Sequence, residues 1–507
     1  MNRMCNSKVR CRPNHLCLAH RVVATSVLSI GGCLLGQPVR ADEPGEPVQA
    51  QDVTPLPVPG DEDSLPPYAV LVIPAPPNID TEAGAVLNTG EIVAASYFPQ
   101  RTRILIGDGV NVRERLLPDH VLFGGIISAS DSGWIVIASP FFIPSTYGYF
   151  RPDGSFSEVI LPPGTDHGAV LDVNEHGVMC ANLTDSADGD GRAYRYQHGA
   201  FTALPHAYAH DRSRTSTIAL NDSGIIVGKS GIFGDVEPVV AVKWVGDEIA
   251  LLTTSIATDP RPYDINNAGL IIGSGRDLRY ETARPLLWAG DEPARILESP
   301  NLIWGSWNIS ALMINNRNRI IGSESKFGVY LEHRFIIWPS PDVMARPVAD
   351  LFPPNIAWAD DPDGSNAYLF DINDHDQIVG TAMHKIDDEF RSFIMTPVTW
   401  SFRLSDLVPG QPGVENTLSI TGAPANAEVT IFGGRHGGGA LIPGCRILDN
   451  VLQIEDPRPI ATVTTDANGE ATISDVLPPT LASRRILLQA YIQSTCEISN
   501  LVVQEIE

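Results

Sequence analysis

A short hairpin signature returns seven times between about residue 87 and residue 381, and it restricts this chain to repeat architectures. Its fullest form is Ala219-Leu220-Asn221-Asp222-Ser223-Gly224-Ile225-Ile226-Val227-Gly228, with near-copies INNAGLIIG from Ile265, INNRNRIIG from Ile314 and INDHDQIVG from Ile372. Weaker copies start at Val173 and Ala129, and one that reads as a residue shorter starts at Leu87. A unit of this kind covers its apolar face only by stacking on its neighbours.

With Asn88, Ser130, Asn174, Asn221, Asn266, Asn315 and Asn373 as markers, the steps are 42, 44, 47, 45, 49 and 58 residues, room for four short strands and their turns. Asn, Asp or Ser at the first turn position and Gly133, Gly177, Gly224, Gly269, Asn318 or Asp376 at the fourth suit a type I turn closed by a residue of positive φ. The β-branched run that follows reads as a buried strand. About 22 residues after each marker a further strand ends in Phe150, Tyr196, Trp244, Trp288, Trp338 or Met395, mostly followed by turn chemistry such as Ala289-Gly-Asp. Each unit thus reads as a four-stranded antiparallel blade. Seven of them predict an all-β, seven-bladed β-propeller over residues 68–402. A parallel β-helix of two coils per unit is the competing geometry; the hairpin turns and the dissimilar halves of each unit argue against it.

Tyr68-Ala-Val-Leu-Val-Ile either begins the first blade or pairs with the last to close the ring. Val408-Pro-Gly-Gln-Pro-Gly marks a hinge over 403–414, and residues 415–507 carry strand runs around an Asp466-Ala-Asn-Gly469 turn, the pattern of an immunoglobulin-like β-sandwich.

Residues 1–41 hold no acid; Arg3, Lys8, Arg10, Arg12 and Arg21 precede the apolar run Val22–Gly36 and then Val39-Arg40-Ala41, which reads as a secretory signal peptide. An uncleaved anchor and lipidation at Cys33 are the alternatives. Residues 42–67, rich in Pro and acids, read as an extended linker. Four of the seven cysteines leave with the signal; Cys445 and Cys496 are the natural disulfide pair, and Cys180 reads as a buried thiol. A net charge of −25 with no Lys/Arg cluster in the repeats excludes nucleic acid as an expected partner.

The repeats resemble the extracellular HAF-repeat family, whose units carry an I-N-x-x-G-x-I-V-G core and end near H-A-F-x-W. The first half matches, as in LNDSGIIVG from Leu220; Val240-Ala-Val-Lys-Trp244 and Arg334-Phe-Ile-Ile-Trp338 keep the apolar spacing of the second. The last domain also resembles a C-terminal β module of secreted bacterial proteins. The resemblance implies export and a propeller-like repeat, and it brings no catalytic residue.

Chemistry is sparse. Gly228-Lys229-Ser230 is one residue short of a phosphate loop and reads as strand. The histidines form no H-E-x-x-H pair, and there is no G-x-S-x-G. Two acid-rich loops, with Asp185, Asp188 and Asp190 and with Asp360, Asp361 and Asp363, are calcium candidates without EF-hand spacing, solvated turns being the alternative. The expectation is a secreted, non-enzymatic binding or structural module of the periplasm, cell envelope or extracellular space. It would meet a polysaccharide or another envelope protein and need no cofactor other than calcium. A glycan-active hydrolase or lyase using one axial face is the alternative.

Overall fold

The computed structural model describes residues 65–507 except 74–79, 98–102, 109, 119–120, 122–124, 139–146, 186–190, 209–212, 233–238, 280, 303–306, 327–331, 355, 357–366 and 385–388. Residues 1–41, read as a signal peptide, and most of 42–67, read as a linker, lie outside this set. Residues from Gly60 to the C-terminus belong to one compact unit.

The described residues are all-β, without α-helix, and the repeats form seven four-stranded antiparallel sheets. Numbered by their first strands, sheets 1 to 7 begin with Asp80–Val86, Gly125–Ala129, Thr165–Val173, Ser213–Leu220, Ala257–Ile265, Trp307–Ile314 and Ala367–Ile372. Antiparallel pairing within each sheet excludes the β-helix. In sheets 1 to 6 the four strands follow one another in sequence. Sheet 7 takes its outer strand from Tyr68–Val72, which pairs with Glu389–Pro397 in the register Tyr68↔Pro397 to Val72↔Phe393. The first strand of the described chain therefore closes the last repeat.

The turn after each first strand forms for the reason its residues suggest. Gly90, Gly133, Gly177, Gly224, Gly269, Asn318 and Asp376 all have positive φ, where Gly is unstrained and Asn or Asp costs least. Just before the turn every first strand carries a β-bulge, as between Thr217 and Ala219 or Pro262 and Asp264. A bulge bends its strand and re-aims the neighbouring side chains. The last Gly of the signature makes room for it. A Cβ on Gly228, Gly273, Gly322 or Gly380 would stand 2.0, 1.9, 2.2 or 2.3 Å from a backbone carbonyl oxygen of the facing strand.

The aromatic anchors join each sheet to the one before. Trp244, Trp288 and Trp338 are fully buried, and their Nε1–H groups donate to the carbonyls of Pro205 (2.8 Å), Thr253 (3.0 Å) and Glu298 (2.6 Å), each just beyond the outer strand of the preceding sheet. A buried indole N–H that finds such a partner adds direction to the apolar packing.

The stretch read as a hinge, 403–414, is stitched down: Arg403–Leu404 pairs with Glu415–Thr421, and Val408 and Thr417 exchange backbone hydrogen bonds. Beyond it a three-stranded and a five-stranded antiparallel sheet enclose an apolar core that includes Leu418, Ile420, Val429, Ile431 and Leu488. Cys445 and Cys496 are joined by a disulfide with Cα atoms 5.9 Å apart, and Cys180 is a buried thiol in sheet 3. Ile442, Ile447, Val451 and Leu452 of this module share one core with Leu71 of sheet 7 and Ala83 of sheet 1.

Candidate functional site

Two circles of hydrogen bonds run around the turns at one end of the sheets, and the sequence dictates both. In the inner circle each buried marker Asn serves its own turn and its neighbour. Asn221 Oδ1 accepts the Ile225 N–H at 3.0 Å, while its Nδ2 donates to the Asn266 carbonyl at 3.1 Å. The same donation runs from Asn174 to Asn221, Asn266 to Asn315, Asn315 to Asn373 and Asn373 to Leu87.

The circle ends on Leu87, which corrects the sequence alignment of the first repeat. Leu87 N–H bonds to the Glu91 carbonyl and Gly90 N–H to the Leu87 carbonyl, as Asn221 does with Ile225 and Gly224. The first copy is therefore of full length, with Leu87 at the marker position. Asn88 belongs one place further on.

That further place forms the outer circle, which is complete. The backbone N–H of Asn88 donates to Asp131, Asp131 to Glu175 (2.7 Å), Glu175 to Asp222 (3.0 Å), Asp222 to Asn267 (2.9 Å), Asn267 to Asn316 (2.8 Å), Asn316 to Asp374 (2.7 Å) and Asp374 back to Asn88 (2.6 Å), each time to a side-chain oxygen. Only a side chain with an acceptor oxygen fits here, and all seven are Asn, Asp or Glu.

Inside the circles lies a cavity of about 370 Å³ lined by residues of all seven sheets. Seven carboxylate residues and no Lys or Arg line it. Asp172, Asp264 and Asp371 stand two places before their markers, in sheets 3, 5 and 7, half-buried where the bulge turns the strand. Each ties its sheet to the next. Its Oδ1 accepts the following backbone N–H, and its Oδ2 accepts a backbone N–H of the neighbouring sheet: Leu220 (2.9 Å), Ile314 (2.8 Å) and Val86 (2.9 Å) respectively. Ser128 adds a hydrogen bond of 2.6 Å to Asp172. Burial nevertheless disfavours their charged forms, and the three carboxyls are pushed up to about 6, 8 and 7.

Sequence reasoning passed over these three aspartates, although D-V-N, D-I-N and D-I-N announce them. Of the calcium candidates, Asp188, Asp190, Asp360, Asp361 and Asp363 lie outside the described residues, and Asp185 ends a strand of sheet 3. Among the described residues no group of three His, Cys, Asp or Glu has the arrangement of a metal site. Gly228-Lys229-Ser230 lies within the strand Ile226–Ile232. No helix among the described residues is long and apolar enough to cross a membrane.

The inner circle yields a direct expectation. Asn221→Ala leaves the Ile225 N–H without its partner and takes one of two donors from the Asn266 carbonyl, which keeps only the Gly269 N–H, and the loss should be about 1–3 kcal/mol. Urea melts of the purified protein measure it; a loss within about 0.5 kcal/mol, the usual range for surface changes, would rule out a structural circle.

No family model matches the chain, and no curated protein does. Among solved structures it is similar to the β-propeller domain of the Trilobed protease from Pyrococcus furiosus, at 11% identity and TM-score 0.42, over 62% of this chain and 95% of that one. It is similar also to prolyl oligopeptidase B from Galerina marginata, at 8% identity and TM-score 0.43, over 72% of this chain and 57% of that one. A third is YCF48 from Cyanidioschyzon merolae, at 11% identity and TM-score 0.36, over 65% of this chain and 98% of that one. Likeness at such identities transfers no activity.

Proposed function

We propose that the protein is a secreted, non-enzymatic binding module: a seven-bladed propeller with an immunoglobulin-like sandwich behind it, taking its ligand at the axial cavity. The outer circle of seven hydrogen bonds supports the seven-bladed reading, since each sheet hands one bond to the next and the last hands it to the first. The observation that carries the binding role is the cavity itself, built by every sheet and lined by seven carboxylates with no cation. Such a mouth repels polyanions and suits a ligand rich in hydroxyls or positive charge. A neutral or basic polysaccharide, or an envelope protein with a basic loop, fits that chemistry.

A glycan-active enzyme is the second reading, favoured by one observation: three carboxyls facing a cavity with proton affinities raised into the range of general acids. Against it, both oxygens of each already accept backbone N–H groups that join neighbouring sheets. The test is a screen of the purified protein against neutral, basic and acidic polysaccharides, with and without calcium, scoring retention and product together. Retention of a neutral or basic glycan without turnover is the expected result. Release of shorter sugars would replace the binding module by the enzyme, and retention of acidic glycans alone would remove the axial cavity from consideration.

A further inference from the structure

A second cavity, of about 530 Å³, lies away from the circles, between sheets 6 and 7 and the C-terminal module. Its size falls within the usual range for small-molecule sites. Its walls are apolar and stiff. Pro66, Pro67, Phe352, Pro353 and Pro354 contribute to them, and the proline rings hold the backbone in place without any ligand. Trp400 presents 46% of its surface, and the Arg403 guanidinium lies 5.7 Å from its ring, covering one face. The module contributes Gln453 and Asn500, but their amides are occupied: Gln453 Nε2 donates to the Tyr68 carbonyl, and Asn500 bonds both backbone groups of Leu404.

Two charged groups remain. Arg346 is half-buried in the cavity wall, and its hydrogen bond is a long one of 3.3 Å from Nη2 to the Leu65 carbonyl. Its Nε is buried and has no partner, and among the described residues it forms no ion pair. Asp350 lines the same cavity from an exposed position, near enough to act on Arg346 through space but without a contact. In a chain of net charge −25, a half-buried guanidinium that touches no carboxylate among the described residues has the chemistry to receive an anion. Burial also pulls its pKa down, against the opposing pull of Asp350.

We propose that this cavity binds a small monocarboxylate with an apolar body, the carboxylate on Arg346 and the body between Trp400 and the proline walls. The guanidinium fork gains the bidentate partner it lacks, and the ligand's apolar part leaves water against surfaces that are already ordered. A sugar, whose hydroxyls would need many partners, finds few here. The site is independent of the axial cavity, so it stands or falls separately from the binding role proposed above.

Calorimetric titration of the purified full chain with benzoate, octanoate and indole-3-acetate, each against its primary amide, tests the assignment. The acids should bind at least about tenfold more tightly than the amides, the effect of one charge-assisted hydrogen-bonded contact. Arg346→Gln should abolish that preference. Asp350→Asn, on the exposed rim, should tighten the acids by about two- to threefold, in keeping with the small worth of an exposed charge. The assignment is overturned if no acid binds at millimolar concentration, if amides bind as well as acids, or if Asp350→Asn leaves or weakens the affinity. A folded Arg346→Gln that keeps the preference overturns it too. Should Arg346→Gln fail to fold, the acid–amide comparison and Asp350→Asn still decide.

Discussion

Gly273→Ala is expected to destabilise the protein by about 3 kcal/mol or more, because the added carbon has nowhere to go. Its Cβ would stand 1.9 Å from the Arg261 carbonyl oxygen and 2.9 Å from Pro262 Cα, and both are backbone atoms that cannot rotate aside. Relief requires the first two strands of sheet 5 to part at the bulge, and that bulge sets Asp264 beside sheet 6. The same place holds Ala94, Ile137 and Ala181 in sheets 1 to 3, so a wider spacing exists and the cost is that of imposing it on sheet 5. Gly269→Ala is the control. It sits at φ +81 with open space around its Cβ and should cost only about 1–2 kcal/mol of backbone strain. Chemical denaturation of both variants gives the comparison, and equal losses would show that the close approach is not what the glycine serves.

Stability should fall as pH rises from about 4 to 8. Asp172, Asp264 and Asp371 are raised to about 6, 8 and 7 from an ordinary value of 3.8, so in that window the folded chain holds protons that the unfolded chain has released. A state that binds more protons gains as pH drops. The contribution is therefore full near pH 4, is lost in steps up to pH 8, and is constant above it. Asp131 is raised in the same direction by burial. Each group that is still protonated in the fold and ionised in the unfolded chain adds a slope of about 1.4 kcal/mol per pH unit. Asp264→Asn should flatten the curve most between pH 6 and 8, since its carboxyl is the last to ionise. Urea melts at pH 4.5, 6, 7 and 8.5 read this as a slope, which is unaffected by any constant cost of the substitution. Parallel curves for the two proteins would mean that Asp264 ionises normally in the fold.

Much of the repeat could be read from residues alone because its turns admit so few of them. The fourth turn position needs positive φ, and Gly, Asn and Asp fill it throughout. The anchors were equally plain: Trp244, Trp288 and Trp338 are large, evenly spaced and buried. The first repeat misled because Leu87 occupies a place held elsewhere by Asn or Ser, while the next residue happens to be Asn88. Leucine can hold that place because its backbone does the turn's work; what it lacks is the amide that reaches the next sheet. The three aspartates were visible as D-x-N but drew no reading, since nothing in a lone sequence distinguishes a carboxyl that caps a neighbouring strand from one that faces water. The second cavity was beyond reach: Arg346, Trp400 and Asn500 meet only through the packing of the module on the repeats.

Tyr68–Val72 and Glu389–Pro397 are separated by more than three hundred residues, yet they lie side by side in sheet 7. The earliest and latest segments of the repeat array act as a clasp, and the clasp cannot be fastened until the whole array has emerged. If the chain crosses a membrane in extended form, the strand Tyr68–Val72 reaches the far side long before its partner and waits there unpaired. Within the repeat array, the pairing with the greatest sequence separation thus also has to wait longest for its partner, and a truncation at either end of the array opens the same seam.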